Sequence, residues 1–119
     1  MSEQGDDMIL VTGPAYAGKQ EYICKRLGIP YERFSEHGIR DVEKLAWSEE
    51  DPVVLADRLS GYEIVIMTEI GCGIVPADEK ERQSREKAGR LSCILAGRAD
   101  TVIRVVCGIP QILKGERSD

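Results

Sequence analysis

The chain has 119 residues, long enough for one hydrophobic core and too short for two independent ones. Hydrophobic residues make up 42% and charged residues 31% of the sequence, a composition that excludes wholesale disorder and a fibrous protein. The net charge of −5 and the lack of a basic run argue against a nucleic acid or an anionic membrane as partner.

Cysteine usage and the N-terminal segment both favour a cytoplasmic protein. The cysteines are too scattered for a zinc site or a redox pair, so we expect them to be reduced and mostly packed in the core: Cys24, Cys72, Cys93 and Cys107. No run approaches the roughly 20 apolar residues of a membrane helix, and residues 1–7 are polar and acidic, unlike a signal peptide. We expect one domain over residues 1–119, with flexible tails at 1–7 and 115–119.

The first predicted unit is a strand, a loop and a helix. Met8–Thr12 is a short apolar run, typical of a parallel strand that is buried on both faces. A loop over Gly13–Gly18 follows, and Lys19–Leu27 suits a helix that Gly28 and Pro30 would end.

Downstream, apolar runs typical of strands alternate with segments that have a helical pattern, apart from the polar segment 32–46, which has no clear pattern. The predicted elements are a brief strand at Tyr31–Phe34, a helix from Ser48 to Gly61, a strand at Tyr62–Thr68, a helix at Asp78–Ala96 with Ala88, Leu91, Ile94 and Leu95 on one side, and a strand at Thr101–Cys107 that Gly108–Pro110 breaks. Strands that alternate with helices predict an α/β fold with a mostly parallel sheet.

The loop after the first strand has the pattern of a phosphate-binding loop. Its sequence is Gly13-Pro14-Ala15-Tyr16-Ala17-Gly18-Lys19-Gln20, which matches G-x-x-x-x-G-K between a strand and a helix. Backbone N–H groups of such a loop converge on phosphate oxygens, and Lys19 adds positive charge. The alternative is an ordinary turn with an exposed lysine. Gln20 replaces the Ser or Thr whose hydroxyl binds Mg²⁺, which predicts weakened metal binding.

Three later elements are more specific than the loop. Thr68–Pro76 reads TEIGCGIVP; the next helix carries Arg82, Arg85, Glu86, Gly89, Arg90, Ser92 and Cys93; and the last strand is followed by Gly108, Ile109, Pro110 and Lys114. They resemble, in order, the N-E-V-G-x-G-I-V-P, R-x-x-R-D-x-x-G-R-x-N-Q and G-I-P-x-x-x-K elements of the adenosylcobinamide kinase / adenosylcobinamide-phosphate guanylyltransferase family. Residues 47–52 (WSEEDP) resemble the family's W-x-T-x-E-x-P, with His37 and Arg40 upstream where the family has a His and an Arg.

The chain also departs from the family pattern. The family has a further strand with a D-C-L-T-type element and a helix before its N-E-V-G strand, whereas here Tyr62–Thr68 leads directly into the signature. Thr68 replaces the family's asparagine, Glu86 its helix aspartate, and Ser92-Cys93 its N-Q pair. These changes affect the positions expected to contact the metal and the nucleotide.

The resemblance implies a P-loop NTPase-like three-layer sandwich and an ATP- or GTP-dependent kinase of adenosylcobinamide in cobalamin biosynthesis. Guanylyl transfer would proceed through His37, which takes up GMP covalently in the family; an ordinary surface histidine is the alternative. Lys19 would act on the transferred phosphoryl group, and the expected partners are a nucleotide and a corrinoid, together with a second copy of the chain. A noncatalytic nucleotide-binding subunit with a regulatory or assembly role, and a structural remnant without a ligand, are the competing hypotheses.

Three further site residues are proposed from their chemistry. Glu69 follows a buried strand beside the loop, where it would face Mg²⁺ or instead cap the next turn. Arg82 and Arg85 share a helix face and would clamp phosphates, with Gly89 allowing close approach; alternatively they pair with neighbouring glutamates. Gly71, Gly73 and Pro76 are expected to shape a sharp loop.

Overall fold

A computed structural model describes residues 8–47, 51–69 and 79–115 of the chain. These residues form a five-stranded sheet in the order β2-β3-β1-β4-β5, in which only β5 is antiparallel to its neighbour. The elements are β1 (Ile9–Gly13), α1 (Lys19–Leu27), a first 3₁₀ helix (Tyr31–Glu36), β2 (Gly38–Ile39), a second 3₁₀ helix (Val42–Trp47), α2 (Pro52–Leu59), β3 (Ile64–Thr68), α3 (Glu79–Arg98), β4 (Thr101–Val106) and β5 (Ile109–Lys114). The predicted α/β fold with a mostly parallel sheet is confirmed.

Apolar side chains cover both faces of the sheet. Along β1, Leu10 packs with α2, α3 and the second 3₁₀ helix, whereas Val11 points to the other face and packs with Ile23 of α1 and Phe34. Successive residues of a strand point to opposite faces, so an uninterrupted apolar run is buried on both sides. The result is three layers, and the α3 side chains assigned to its apolar face lie in or against the core: Ala88, Leu91, Ile94 and Leu95.

The brief strand predicted at Tyr31–Phe34 is wrong. This segment is a 3₁₀ helix in which Arg33 donates its backbone N–H to the Pro30 carbonyl at 2.9 Å, and Phe34 anchors it to the core. The edge strand comes later, at Gly38–Ile39, and pairs in parallel with the start of β3. Gly38 is required there because a Cβ would lie 2.5 Å from the carbonyl oxygen of Ile64.

The start of α2 also differs from the prediction. The helix begins at Pro52, and the Asp51 carboxylate caps it by accepting the Val53 N–H at 2.7 Å. Proline suits the first helical position because its missing N–H would have no partner there. Ser48, the predicted cap, lies outside the described residues. The helix ends at Leu59, two residues before the predicted end at Gly61.

The break predicted at Gly108–Pro110 is in fact a β-hairpin turn at Cys107-Gly108, and Ile109 and Pro110 begin a further strand. Cys107 and Gly108 both have positive φ, 54° and 76°, and join β4 to the antiparallel β5. Two positive φ values are typical of the two-residue turn that matches strand twist. Pro110 fits in β5 because β5 is an edge strand, where a missing N–H donor is tolerated.

The described cysteines are free thiols, but only one is in the core. Cys24 is buried, whereas Cys93 and Cys107 are exposed, so the prediction of mostly buried cysteines is wrong for these two. Cys72 lies outside the described residues. Among the helices that the structure describes, none is long and apolar enough to cross a membrane.

Candidate phosphate-binding site

The loop between β1 and α1 has the backbone conformation that its glycines permit. Gly13 and Gly18 have φ of 147° and 83°, and Tyr16 between them has φ of 60°. At Gly13 a Cβ would lie 2.2 Å from the carbonyl oxygen of Val105, so only glycine lets β1 leave the sheet this close to β4. The loop therefore turns sharply at both ends before α1 begins.

The N-terminus of α1 has no side-chain cap. Gly18 occupies the cap position, and glycine has no side chain that could accept a hydrogen bond from the first N–H groups of the helix. These N–H groups carry partial positive charge and suit an anion such as a phosphate.

Lys19 lies beneath the loop. Its side chain is largely buried, with 8% of the residue exposed, and Nζ donates to the carbonyl oxygen of Pro14 at 2.7 Å. Burial lowers the pKa of Lys19, an effect that the nearby carboxylates of Glu43, Asp41 and Glu69 oppose. The exposed lysine that the alternative interpretation assumed is therefore not found.

Two neighbouring strands hold the loop in place. The Glu69 N–H, just after β3, donates to the Gly13 carbonyl at 2.8 Å, and the Gly108 N–H in the hairpin turn donates to the Ala17 carbonyl at 2.8 Å. Both contacts follow from the strand order, because β3 and β4 flank β1. The glycine that begins the G-I-P element thus contacts the phosphate loop directly.

A cavity of about 600 Å³ lies beside the loop. This volume is in the range of small-molecule sites. It is lined by residues 15–21 and by Tyr31, Arg40, Asp41, Glu43, Lys44, Ile66 and Thr68. The lining carries the positive groups of Lys19, Arg40 and Lys44 and the negative groups of Glu21, Asp41 and Glu43.

Sequence reasoning named Arg40 only as a family position and missed the charged residues that follow it: Asp41, Glu43 and Lys44. Glu43 is almost completely buried, and its Oε1 accepts the Thr68 N–H at 2.9 Å. Glu43 lies at the cavity because β2 pairs in parallel with β3, so that the residues after β2 lie at the carboxyl edge of the sheet. A two-residue strand has too little pattern to be recognised in a polar segment. The available signal was the charged Arg40–Lys44 stretch, which begins three residues after the family's histidine position.

The expected Mg²⁺ ligands are engaged by arginines. The Gln20 Oε1 accepts a hydrogen bond from Arg40 Nη1 at 2.8 Å. Both carboxylate oxygens of Glu69 bind Arg104, at 2.6 Å from Nε and 2.8 Å from Nη2, and Thr12 Oγ1 donates to Oε2 at 3.1 Å. In the part of the chain that the structure describes, no cluster of three or more metal-ligating side chains is present. Because arginines occupy these oxygens, the Gln20 and Glu69 side chains as placed do not fit direct coordination of Mg²⁺. That Glu69 faces the metal region stays a prediction.

We expect the Glu69 carboxylate to make the stability of the folded chain depend on pH in the acid range. Hydrogen bonding to Arg104 holds the pKa of Glu69 below its usual range, with a further contribution from Thr12. The unfolded chain therefore takes up a proton at Glu69 at a higher pH than the folded chain does. The contribution of the Glu69 carboxylate to the free energy of unfolding is complete above the ordinary glutamate pKa and is lost as the pH falls further. Below about pH 4, urea denaturation should show a flatter pH profile for Glu69→Gln than for the wild type.

The matched control is Glu36→Gln, which removes a more exposed carboxylate that pairs with Arg33 at 3.2 Å. Its profile should follow the wild type more closely. Identical acid profiles for the wild type and Glu69→Gln would contradict this role of Glu69.

The structure does not bring His37 to the cavity. His37 precedes β2 and lies 3.4 Å from Glu63 Oε1, measured from Nδ1, at the amino ends of β2 and β3. The loop begins at the opposite edge, after Gly13. From the strand register, the two positions are separated along the strands by roughly 16 Å, at about 3.3 Å per residue.

The two helix arginines pair with glutamates of their own helix. Arg82 Nη1 lies 3.1 Å from Glu79, and Arg85 Nη2 lies 3.9 Å from Glu81. Neither arginine is among the described residues that line the cavity. Their phosphate contacts therefore stay a prediction.

The structure also shows the surroundings of two further positions in the family elements, Gly89 and Lys114. At Gly89, apart from its chain neighbours and the backbone of its own helix, no described atom lies within 4 Å of the Cβ that alanine would add, so the expected close approach is not seen among the described residues. Lys114 donates from Nζ to the carbonyls of Ala96 and Gly97, each at 3.0 Å, and so satisfies the C-terminal end of α3. Gly71, Gly73 and Pro76 lie outside the described residues.

Comparison with known proteins supports the relationship that these elements suggested. The chain is 34% identical over 76 residues to the bifunctional adenosylcobalamin biosynthesis protein CobP of Pseudomonas aeruginosa, an alignment that covers 64% of this chain and 44% of the relative. The chain thus spans less than half the length of that relative. The family model described as cobinamide kinase / cobinamide phosphate guanyltransferase matches residues 36–113, a range that begins after the phosphate loop. Because this match takes in more than half of the sequence, the chain belongs to the cobinamide kinase / cobinamide phosphate guanyltransferase family.

Proposed function

We propose that this chain binds ATP or GTP at residues 13–20 and transfers the terminal phosphoryl group to adenosylcobinamide in the cytoplasm. The observation that carries the proposal is the buried Lys19, whose Nζ lies against the Pro14 carbonyl beneath an uncapped helix N-terminus. Family membership supports the corrinoid as the acceptor. The name of the Pseudomonas aeruginosa relative points to the same pathway.

The side chains around the loop would act by positioning and charge. Phosphoryl transfer needs hydrogen-bond donors on the nonbridging oxygens and positive charge where negative charge develops. The N–H groups at the start of α1 would supply the donors, and Lys19 would exchange the Pro14 carbonyl for a phosphate oxygen. This exchange favours the charged lysine, because a phosphate is a stronger partner than a neutral carbonyl.

Guanylyl transfer through His37 is a separate part of the proposal. His37 would attack the α-phosphorus of GTP through a ring nitrogen, forming a phosphorus–nitrogen bond and releasing pyrophosphate. The distance of roughly 16 Å along the strands means that the segment before β2 must move, or that GTP must extend from the loop to the other edge. The kinase step requires no such rearrangement of His37.

The experiment measures label transfer in two arms. The chain is incubated with γ-labelled ATP or GTP and adenosylcobinamide, and labelled corrinoid phosphate is the expected product, absent for Lys19→Ala. With α-labelled GTP, an acid-labile label on the protein that disappears in His37→Ala would support the guanylyl step. Nucleotide binding without transfer to either acceptor would contradict the enzymatic proposal and favour a noncatalytic regulatory or assembly subunit.

A further inference from the structure

The residues beside Lys19 place a second cation at the loop. Arg40 follows β2 and donates from Nη1 to Oε1 of Gln20 at 2.8 Å, and Gln20 is the second residue of α1. Both side chains line the cavity next to the loop. The Arg40 side chain is 56% exposed, so its guanidinium is accessible to a ligand in that cavity.

The hydrogen bond changes what each side chain can do. A carbonyl oxygen that accepts from a guanidinium is a poor ligand for a divalent cation, because the cation would bring two positive charges together. The guanidinium has five N–H donors, and the contact with Gln20 uses one of them. Arginine matches phosphate geometry through paired N–H donors, and the Gln20 contact limits the rotamers that must be fixed on binding.

The carboxylates near Arg40 also have partners. Asp41 Oδ2 lies 3.6 Å from Arg40 Nε, and Glu43 accepts the Thr68 N–H. Glu21, in the first turn of α1, is the third acidic residue of the lining, and Lys44 is a further cation. A polyphosphate entering this cavity would meet the cations Lys19, Arg40 and Lys44 beside Glu21, and it would share the Arg40 guanidinium with Asp41.

We propose that Arg40, held by Gln20, supplies at the phosphates the positive charge that a divalent cation supplies in other phosphate-loop sites, so that this chain binds a nucleoside triphosphate without a divalent cation. The inference rests on the proposed nucleotide binding. Gln20, which stands where the usual Ser or Thr would bind the metal, would instead hold Arg40 at the phosphates.

Titration calorimetry with ATP and with GTP tests the inference in two buffers, one with EDTA and one with Mg²⁺. For the wild type we expect dissociation constants in the two buffers that agree within about threefold. Arg40→Gln should weaken binding in EDTA by about 10- to 100-fold, the range expected when charged hydrogen bonds are lost. Arg40→Lys should restore part of the affinity, since it keeps the charge without the paired donors.

The matched control is Arg33→Gln, which removes an exposed arginine that pairs with Glu36 on the first 3₁₀ helix. It should bind as the wild type does. Gln20→Ser should make binding depend on Mg²⁺, because it frees Arg40 and supplies the hydroxyl that the metal prefers. Thermal unfolding of each variant confirms that the chain is folded.

The outcomes separate the inference from the function on which it rests. Binding by the wild type that is tenfold or more tighter in Mg²⁺ than in EDTA would overturn the role of Arg40 while leaving nucleotide binding intact. Equal affinities of Arg40→Gln and Arg33→Gln in EDTA would do the same. No binding by the wild type in either buffer would overturn the proposed function and this inference together.

Discussion

Replacing Lys19 with alanine is expected to weaken ATP or GTP binding by about 100-fold, or about 2.7 kcal/mol, the loss expected for a charged hydrogen-bond donor. The reason is that Nζ lies beneath the loop, where burial excludes competing water and the Pro14 carbonyl is its hydrogen-bond partner. Titration calorimetry on the wild type and Lys19→Ala measures the effect.

Lys25→Ala is the matched control, because Lys25 is an exposed lysine in the last turn of the same helix. It should bind nucleotide as tightly as the wild type. Since burial lowers the pKa of Lys19, wild-type affinity should also decline at a less alkaline pH than an ordinary lysine would give, and Lys19→Ala should lack this decline. Equal affinities of the two alanine variants would exclude Lys19 from the phosphate site.

Replacing Gly13 with alanine should destabilise the fold by about 3 kcal/mol or more, from backbone strain and steric overlap together. The added Cβ would lie 2.2 Å from the Val105 carbonyl oxygen, and the φ of 147° is one that residues with a side chain rarely adopt. The neighbour is backbone in β4, so it cannot rotate away as a side chain would. Urea denaturation followed by circular dichroism measures the change.

Gly97→Ala provides the control in the same protein. Gly97 lies in α3, and apart from its chain neighbours and the backbone of this helix no described atom is within 4 Å of its added Cβ, so alanine should stabilise the helix by roughly 0.5–1 kcal/mol. If Gly13→Ala were as stable as the wild type, β1 and β4 would not be as close in solution as the structure places them. The phosphate loop would then lack the support that this contact gives it.

Strong local patterns were sufficient for the central elements of the fold. The apolar runs of β1, β3 and β4 each had to be buried on both faces, which requires a layered α/β arrangement. The G-x-x-x-x-G-K pattern identified the loop, and the three later elements identified the family. In each case the necessary information lies within a few consecutive residues.

Elements that depend on distant partners were not predicted. The two-residue strand β2 exists because β3 offers it an edge, and β5 exists because the left-handed Cys107-Gly108 turn returns the chain to β4. Neither segment has a hydrophobic pattern that identifies it as a strand. A cysteine is also not a typical residue for such a turn.

The partners of the site residues were decided by the tertiary structure. Sequence placed Glu69 at a strand end beside the loop, as found, but Arg104 on β4 determines what its carboxylate binds. Likewise Gln20 was recognisable as an unusual residue, whereas its contact with Arg40 depends on the pairing of β2 with β3. The sequence by itself determined which residue types stand at the loop and that its strand is buried, because these are local properties. Only the folded sheet decided which charges meet there, because strand order and register bring together side chains that are far apart in the chain.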